Sequence, residues 1–440
     1  MSKIGMISLG CPKNQVDAEI LLSLLNQAGH ELVEDIAYSD AAIVNTCGFI
    51  ESAKQESIEE ILELAKLKAE GRIKAIIVTG CLAERYREEL AAELPEIDVV
   101  VGLGGNSRIV EAVEIALGGQ RAEIYGEKSE FSLEGKRVQT TPQYYSYLRI
   151  ADGCDNRCTY CAIPLIRGGF RSRSMENVLE EAQILANRGV KELNIIAQDV
   201  TRYGDDLYGE LKLPELLQNI CKIEGIEWIR LLYCYPDRVT DELLEVMASE
   251  PKIVKYMDLP LQHVNGEILT AMNRSGDFAG LSALIAKIRA KVPQIVLRTT
   301  FIVGFPNESE EHFEELLTFI AESKFERLGC FVYSPEEGTP AAEFANQVPR
   351  ELAERRQELV MDVQSLNVDG FNQSLTDKAL EVLVEDYDRI AEMWYGRTKY
   401  DAPEVDCKVF FTAKVRPKRG SIINVKIVDY MDCDLIGESL

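Results

Sequence analysis

The sequence predicts an α/β chain in three parts: an open, mostly parallel sheet, an incomplete barrel of six β/α units, and a small antiparallel β-barrel. Three observations carry this. Short apolar runs alternate with amphipathic helical patterns through the first two parts, which is the mark of parallel sheets with helical crossovers. The alternation is interrupted once, by the polar, turn-rich stretch EIYGEKSEFSLEGKRVQTTPQYY, which reads as a linker. From about residue 374 the pattern becomes strand-rich with short turns, as in a five-stranded barrel of OB-like type. The parts are therefore 1–140, 141–373 and 374–440.

In the first part IGMISLG precedes the amphipathic QVDAEILLSLLNQAG, AAIVNTC precedes ESAKQESIEEILELAKLK, KAIIVTGC precedes AERYREELAAEL, and DVVVG leads into SRIVEAVEIALGG. Cys11, Cys47 and Cys81 each stand just after an apolar run, at the carboxyl end of a predicted strand. The carboxyl ends of parallel strands share one edge, where ligands bind. Free cysteine is also among the most buried residue types, so one such cysteine is ordinary. Three at 36- and 34-residue spacing point instead to a soft-metal site. VGLGG does not fit the G-x-G-x-x-G of a dinucleotide site after a first strand.

The second part has six strand candidates: YLRIA, ELNIIA, WIRLLY, KYMDLP, IVLRTTFIVG and LGCFVY. Functional groups of a β/α barrel lie in loops after the strands. After the first strand comes DGCDNRCTYCAIP, which places Cys154, Cys158 and Cys161 in one short loop. Thiolates suit iron–sulfur clusters, and three of them leave one position open. Zinc completed by a distant histidine is the other reading of the same trio. IAQD, DLPLQH and FIVGFP end later strands, so Gln198, Asp199, Gln262, His263 and Arg298 are polar candidates at or near the same rim. Tyr160, beside a trio member, reads equally as a shield for a metal group and as a core aromatic. Glu336 and Glu337 read as a solvated turn, since adjacent turn residues rarely converge.

Composition narrows the setting. With 46% hydrophobic and 28% charged residues the chain is an ordinary globular one. No apolar run approaches the roughly 18 residues of a membrane span, and the start MSKIGMISLGCPKNQ lacks a secretory pattern. A cytoplasmic location is the default expectation, and in that compartment disulfides are not expected. Cys221, Cys234, Cys330, Cys407 and Cys433 show no ligand spacing. A net charge of −25 disfavours a nucleic-acid backbone as the main partner and favours a basic one. The tail has ten basic and thirteen acidic residues, and VRPKRG (Arg416, Lys418, Arg419) is its one basic cluster.

CDNRCTYC resembles the C-x-x-x-C-x-x-C signature of the radical S-adenosylmethionine (SAM) enzymes. More specifically, LGCPKNQVDAE, VNTCGFIESAKQES, VTGCLAERY, IADGCDNRCTYCAIPLIRGGFRSR, LPLQHVNGEILTAMNR, LRTTFIVGFPNES and FVYSPEEGTPAA resemble the methylthiotransferases of that superfamily, over nearly the whole chain. The resemblance implies an N-terminal methylthiotransferase domain, a radical SAM barrel and a TRAM domain. It also implies a 4Fe-4S cluster on Cys154, Cys158 and Cys161 whose open iron takes SAM, and a second 4Fe-4S cluster on Cys11, Cys47 and Cys81. Gln198, Asp199, Gln262, His263 and Arg298 become candidates to touch SAM or substrate, and no catalytic side chain is singled out. Pro12 and His263 resemble the branch that modifies an aspartate of the small-subunit ribosomal protein beside the decoding centre. Asn307 departs from the glycine common there.

The implied partners are that ribosomal protein, free or in the ribosome, and an electron donor of flavodoxin or ferredoxin type. The TRAM domain leaves RNA contact open. The alternatives are the same chemistry on an isopentenyl-type tRNA adenosine, and an iron–sulfur carrier without a reaction of its own. The acidic tail predicts that Glu381, Glu385, Asp386 and Asp388 attract a basic protein substrate.

Overall fold

The structure, a computed structural model, describes residues 1–130 and 133–440. Positions 131 and 132, within the expected linker, lie outside the described residues. The expected α/β architecture is present, and two compact units account for it. One holds residues 1–141, 149–173 and 334–342, and the other holds residues 142–148, 174–333 and 343–440.

In the first unit β1 (Lys3–Ser8), β2 (Glu31–Val33), β3 (Ala41–Thr46), β4 (Ala75–Gly80), β5 (Val99–Val101) and β6 (Ala122–Ile124) form a parallel sheet in the order β2-β1-β3-β4-β5-β6. β3 and β4 are buried throughout because both faces are covered. Ile43 and Ile77 pack on one side with Leu21, Leu25 and Val113. Val44 and Val78 pack on the other with Ile61, Leu64 and Leu90. AERYREELAAEL forms two short helices, Cys81–Arg85 and Arg87–Glu93, where one was expected. Tyr86 between them leaves helical geometry at φ −119°, ψ 53°. The remaining pieces add a two-stranded ribbon, β8 (Ala151–Asp152) with β9 (Arg171–Ser172).

The second unit is built on β7 (Tyr145–Arg149, through residue 148), β10 (Glu192–Ile196), β11 (Trp228–Leu231), β12 (Ile253–Asp258), β13 (Val296–Val303) and β14 (Arg327–Val332), in spatial order β14-β13-β12-β11-β10-β7. These are the six expected strands. β15 (Ala379–Asp388), β16 (Met393–Thr398), β17 (Val409–Thr412), β18 (Ile422–Met431) and β19 (Asp434–Ser439) close into a five-stranded barrel around Val382, Val384, Phe411, Val425 and Ile427.

The connection from β16 to β17 was not legible as anything but a turn. It reaches the strands of the larger sheet. Glu404 accepts hydrogen bonds from the hydroxyls of Tyr145 (3.0 Å) and Tyr147 (3.2 Å). Asp406 accepts from Tyr256 (2.6 Å), and Asp401 pairs with Arg327 (2.6 Å). Beside it, Glu192 holds both Arg230 (2.9 Å) and Arg397 (2.7 Å), all with buried side chains. Burial alone would raise the Glu192 carboxyl. Arg397 and Arg230 outweigh burial and hold it below its ordinary value of 4.5. A lowered carboxyl contributes stability that is complete above its unfolded-state value and is lost as pH falls through the folded one. Glu192→Gln should therefore destabilise the fold by about 3–5 kcal/mol at pH 7, because two buried cations lose their partner. The deficit should shrink below about pH 4.5, the ordinary carboxyl value. Denaturant melts at both pH values check this.

Two cysteine assignments are corrected here. Cys407 and Cys433, expected to be unpaired, form a disulfide. The turns that carry them lie side by side, with the Lys408 amide donating to the Asp434 carboxylate (2.7 Å), and a 26-residue separation in sequence gives no sign of that. Cys234 and Cys330 are buried, as inert core residues would be, and Cys221 is partly exposed.

Candidate metal and substrate sites

The carboxyl ends of β1, β3 and β4 bring Cys11, Cys47 and Cys81 to one edge of the first sheet. Cys11 is the N-cap of the helix Pro12–Gln27, and Cys81 is the first residue of its own short helix. Gly10 has φ +87°, and a Cβ there would stand 2.9 Å from the Cys47 sulfur. A Cβ on Gly48 would stand 2.7 Å from the Leu82 Cα. These glycines let the three loops close on one another, since any side chain would hold them apart. Ser57 fixes the Cys47 loop, accepting from its amide (3.0 Å) and donating to its carbonyl (2.9 Å). Burial pushes the Cys81 thiol up to about 12, against the pull of Arg167. Burial likewise raises Cys47, and Cys11 adds to the rise. Binding a cation at these thiols must displace their protons.

The loop carrying Cys154, Cys158 and Cys161 belongs to the same compact unit. All three sulfur-bearing residues are partly exposed. The Cys154 amide donates to the Gly168 carbonyl (3.1 Å), the Cys161 amide to the Cys158 carbonyl (3.0 Å), and the Thr159 carbonyl accepts from the Ala341 amide (2.9 Å). The backbone is thus pinned, and the Asn156 amide lies 3.5 Å from the Cys154 sulfur. Tyr160 is half-buried beside them.

Sequence reasoning missed the residue that links these two loops. Arg167 ends the short helix after the second trio and is 2% exposed. It donates to Asp17 (2.8 Å) and to Asp152 (3.1 and 3.2 Å), and its Nη2 lies 3.7 Å from the Cys81 sulfur. Arg149 pairs with the other oxygen of Asp17. Cys81 packs on Ala162 and Ile166 of the same helix. Asp17 and Asp152 already balance Arg149 and Arg167, so what this cluster offers a thiolate at Cys81 is the Arg167 N–H donor beside its sulfur, not a net charge. Three soft thiols brought to one sheet edge, with a fixed N–H donor at one of them, fit an iron–sulfur group. Glu336 corrects another expectation. It is not solvated but buried, accepting from Arg85 (2.8 Å) and from Ser334 (2.7 Å).

The rim candidates lie in the second unit. Gln198 is half-buried. Asp199 is buried and accepts from Thr201 (2.6 Å) and Arg238 (2.8 Å). Gln262 is half-buried, whereas His263 is fully buried, its Nδ1 accepting from the Asn265 amide (3.0 Å) and its Nε2 3.6 Å from Glu308. Arg298 pairs with Asp258 (3.1 Å) and Asp406 (3.3 Å). Burial would lower its pKa, but Asp258, Tyr256 and Asp406 together raise it.

Comparison with known proteins shows the family. Residues 3–102 match the uncharacterized protein family UPF0004, residues 148–320 the radical SAM superfamily, and residues 378–440 the TRAM domain. The chain is 51% identical over 448 aligned residues to the ribosomal protein uS12 methylthiotransferase RimO of Desulforamulus reducens, covering 100% of this chain and 99% of that one. This chain belongs to the RimO family. The RimO of Pelotomaculum thermopropionicum is 49% identical, again over 100% of this chain and 99% of its own. Among solved structures, the radical SAM methyltransferase TsrM from Kitasatospora setae, with cobalamin and a [4Fe-4S] cluster bound, aligns with a TM-score of 0.59. Identity there is 14%, over 78% of this chain and 77% of that one, so the likeness is one of fold.

Proposed function

We propose that this protein is a radical SAM methylthiotransferase that converts an aspartate of ribosomal protein uS12 to 3-methylthioaspartate, using two SAM molecules, a sulfur donor and an electron donor. The full-length match to uS12 methylthiotransferases carries the reading. Cys154, Cys158 and Cys161 would hold one 4Fe-4S cluster with an iron open to SAM, and Cys11, Cys47 and Cys81 a second. When bound, such groups supply hydrogen-atom abstraction and sulfur for an unactivated carbon, which no side-chain acid or base can do. The protein's own part is to position and to shield. Arg167 offers a buried N–H donor to Cys81 among the first-sheet thiolates, and the glycine contacts of Gly10 and Gly48 keep their loops together. The electron would come from a flavodoxin- or ferredoxin-type protein. No helix among the described residues is long and apolar enough to cross a membrane.

Mass spectrometry of uS12 and of tRNA after incubation of the anaerobically reconstituted enzyme with SAM and dithionite tests the reading. A mass increase on uS12 supports it, and modified tRNA with unmodified uS12 overturns it. A carrier would form no 5′-deoxyadenosine.

The tail acids expected to attract substrate are not equivalent. Glu385 is bound to the buried Arg397 (2.7 Å), and Asp388 accepts from the amides of Ile390 (2.8 Å) and Ala391 (3.0 Å). Reversing either would disturb the barrel itself. Glu381 and Asp386 form exposed pairs with Lys399 and Arg419, which contribute little to stability. Reversing these two should raise KM for uS12 a few-fold in low salt. The difference should vanish as the screening length falls below about 10 Å near 0.1 M salt. Turnover across a salt series checks it.

A further inference from the structure

Two side chains at the rim of the larger sheet stand on left-handed backbone that their residue types disfavour. Tyr233 follows β11 with φ 63°, and Gln262 follows β12 with φ 71°. Asn307, after β13, also has positive φ (67°), but asparagine tolerates it. Glycine or asparagine would hold the same backbone at Tyr233 and Gln262 at lower cost. Strain of this kind persists only where surrounding structure imposes it, and it gathers at binding sites.

The surrounding structure does impose it. The Tyr233 amide donates to Asp258 Oδ2 (2.9 Å), and its carbonyl accepts from the Val200 amide (3.1 Å). Asp258 Oδ1 accepts from Arg298 Nη1 (3.1 Å), and Arg298 Nε donates to Asp406 Oδ1 (3.3 Å). Asp406 is fixed in turn by the Tyr256 hydroxyl (2.6 Å) and the Ala402 amide (2.9 Å). A chain of polar contacts therefore runs from the β16–β17 connection to the backbone of Tyr233. Gln262 is bridged to β13 on both sides, its amide to the Thr300 carbonyl and its carbonyl to the Ile302 amide (2.8 Å each). Its neighbours Leu261 and His263 are buried. In both cases the backbone is locked and the side chain is left partly exposed.

We propose that Tyr233 and Gln262 contact the uS12 polypeptide, their phenol and carboxamide donating hydrogen bonds to carboxylate or peptide oxygens around the target aspartate. Asp258, Arg298 and Asp406 are positioning residues that hold Tyr233. The proposal rests on the uS12 reading above. Arg298 is outnumbered by Asp258 and Asp406, and Asp199 is matched by Arg238, so these pairs leave no net positive charge at the rim. An arriving acidic side chain would thus meet neutral donors at these two positions.

The test uses the reconstituted full-length enzyme, with purified uS12 and SAM titrated separately. Tyr233→Phe and Gln262→Ala should each weaken uS12 binding about tenfold, the scale of one lost hydrogen bond, and change SAM affinity less than about twofold, well under that scale. Tyr233→Asn, which suits the backbone and removes the phenol, should fold at least as well and bind uS12 as weakly. Asp406→Asn combined with Tyr233→Phe should be no weaker than either alone, because the two act as one unit. Unchanged uS12 binding, or a loss confined to SAM, overturns the contact assignment. Additive losses in the double variant overturn the positioning role. If the unmutated enzyme neither binds nor modifies uS12, the functional reading itself has failed, whatever the variants do.

Discussion

Replacing Cys154, Cys158 and Cys161 together by alanine is expected to abolish SAM cleavage and to leave about one 4Fe-4S cluster per chain. The loop should keep its shape. Backbone hydrogen bonds from Cys154 to Gly168, from Cys161 to Cys158 and from Ala341 to Thr159 survive the change, while the contact from the Asn156 amide to the Cys154 sulfur (3.5 Å) is lost. The three side chains are partly exposed, so truncating them opens little internal space. Iron and sulfide analysis, circular dichroism and a 5′-deoxyadenosine assay on the same preparation decide the matter. Near-zero iron with an intact fold would contradict two independently held groups.

The converse variant, with Cys11, Cys47 and Cys81 replaced by alanine, should still form 5′-deoxyadenosine but transfer no methylthio group. Here the structure adds a condition. Arg167 sits 3.7 Å from the Cys81 sulfur and also holds Asp152, which immediately precedes Gly153 and Cys154. The thiols can be removed without leaving Arg167 unpaired, because Asp17 and Asp152 still match it. A buried charge that keeps its partners costs little, whereas one that loses them costs several kcal/mol. The second loop should therefore stay in place. Full methylthio transfer by this variant would show that the three strand-end cysteines are structural only.

Much of the candidate site was legible because it depends on local pattern. Cys11, Cys47 and Cys81 could be brought together on paper, since parallel strands put their carboxyl ends on one edge. Cys154, Cys158 and Cys161 carry their relation in their spacing. The rim residues were legible as a set but not individually. Gln262 and His263 are adjacent, yet one is partly exposed and the other fully buried. Gln262 also stands on a positive φ, which a sequence does not display. Tyr233 was passed over for the same reason.

By itself the sequence determined the alternation of strands and helices and the order of the three folds, and it singled out six cysteines as candidate ligands. These follow from periodicity and from residue types at short separation, where chain connectivity limits what can happen. Tertiary structure alone decided the polar interior. Asp17 meets Arg149 and Arg167 across 132 and 150 residues, Glu192 meets Arg397 across 205, and Arg85 meets Glu336 across 251. It also paired Cys407 with Cys433 and placed Asp406 on Arg298. Each charged residue reads alone as solvated, because a lone charge belongs in water. Only packing that brings opposite charges together from distant segments makes their burial tolerable, and no local pattern records which partner will arrive.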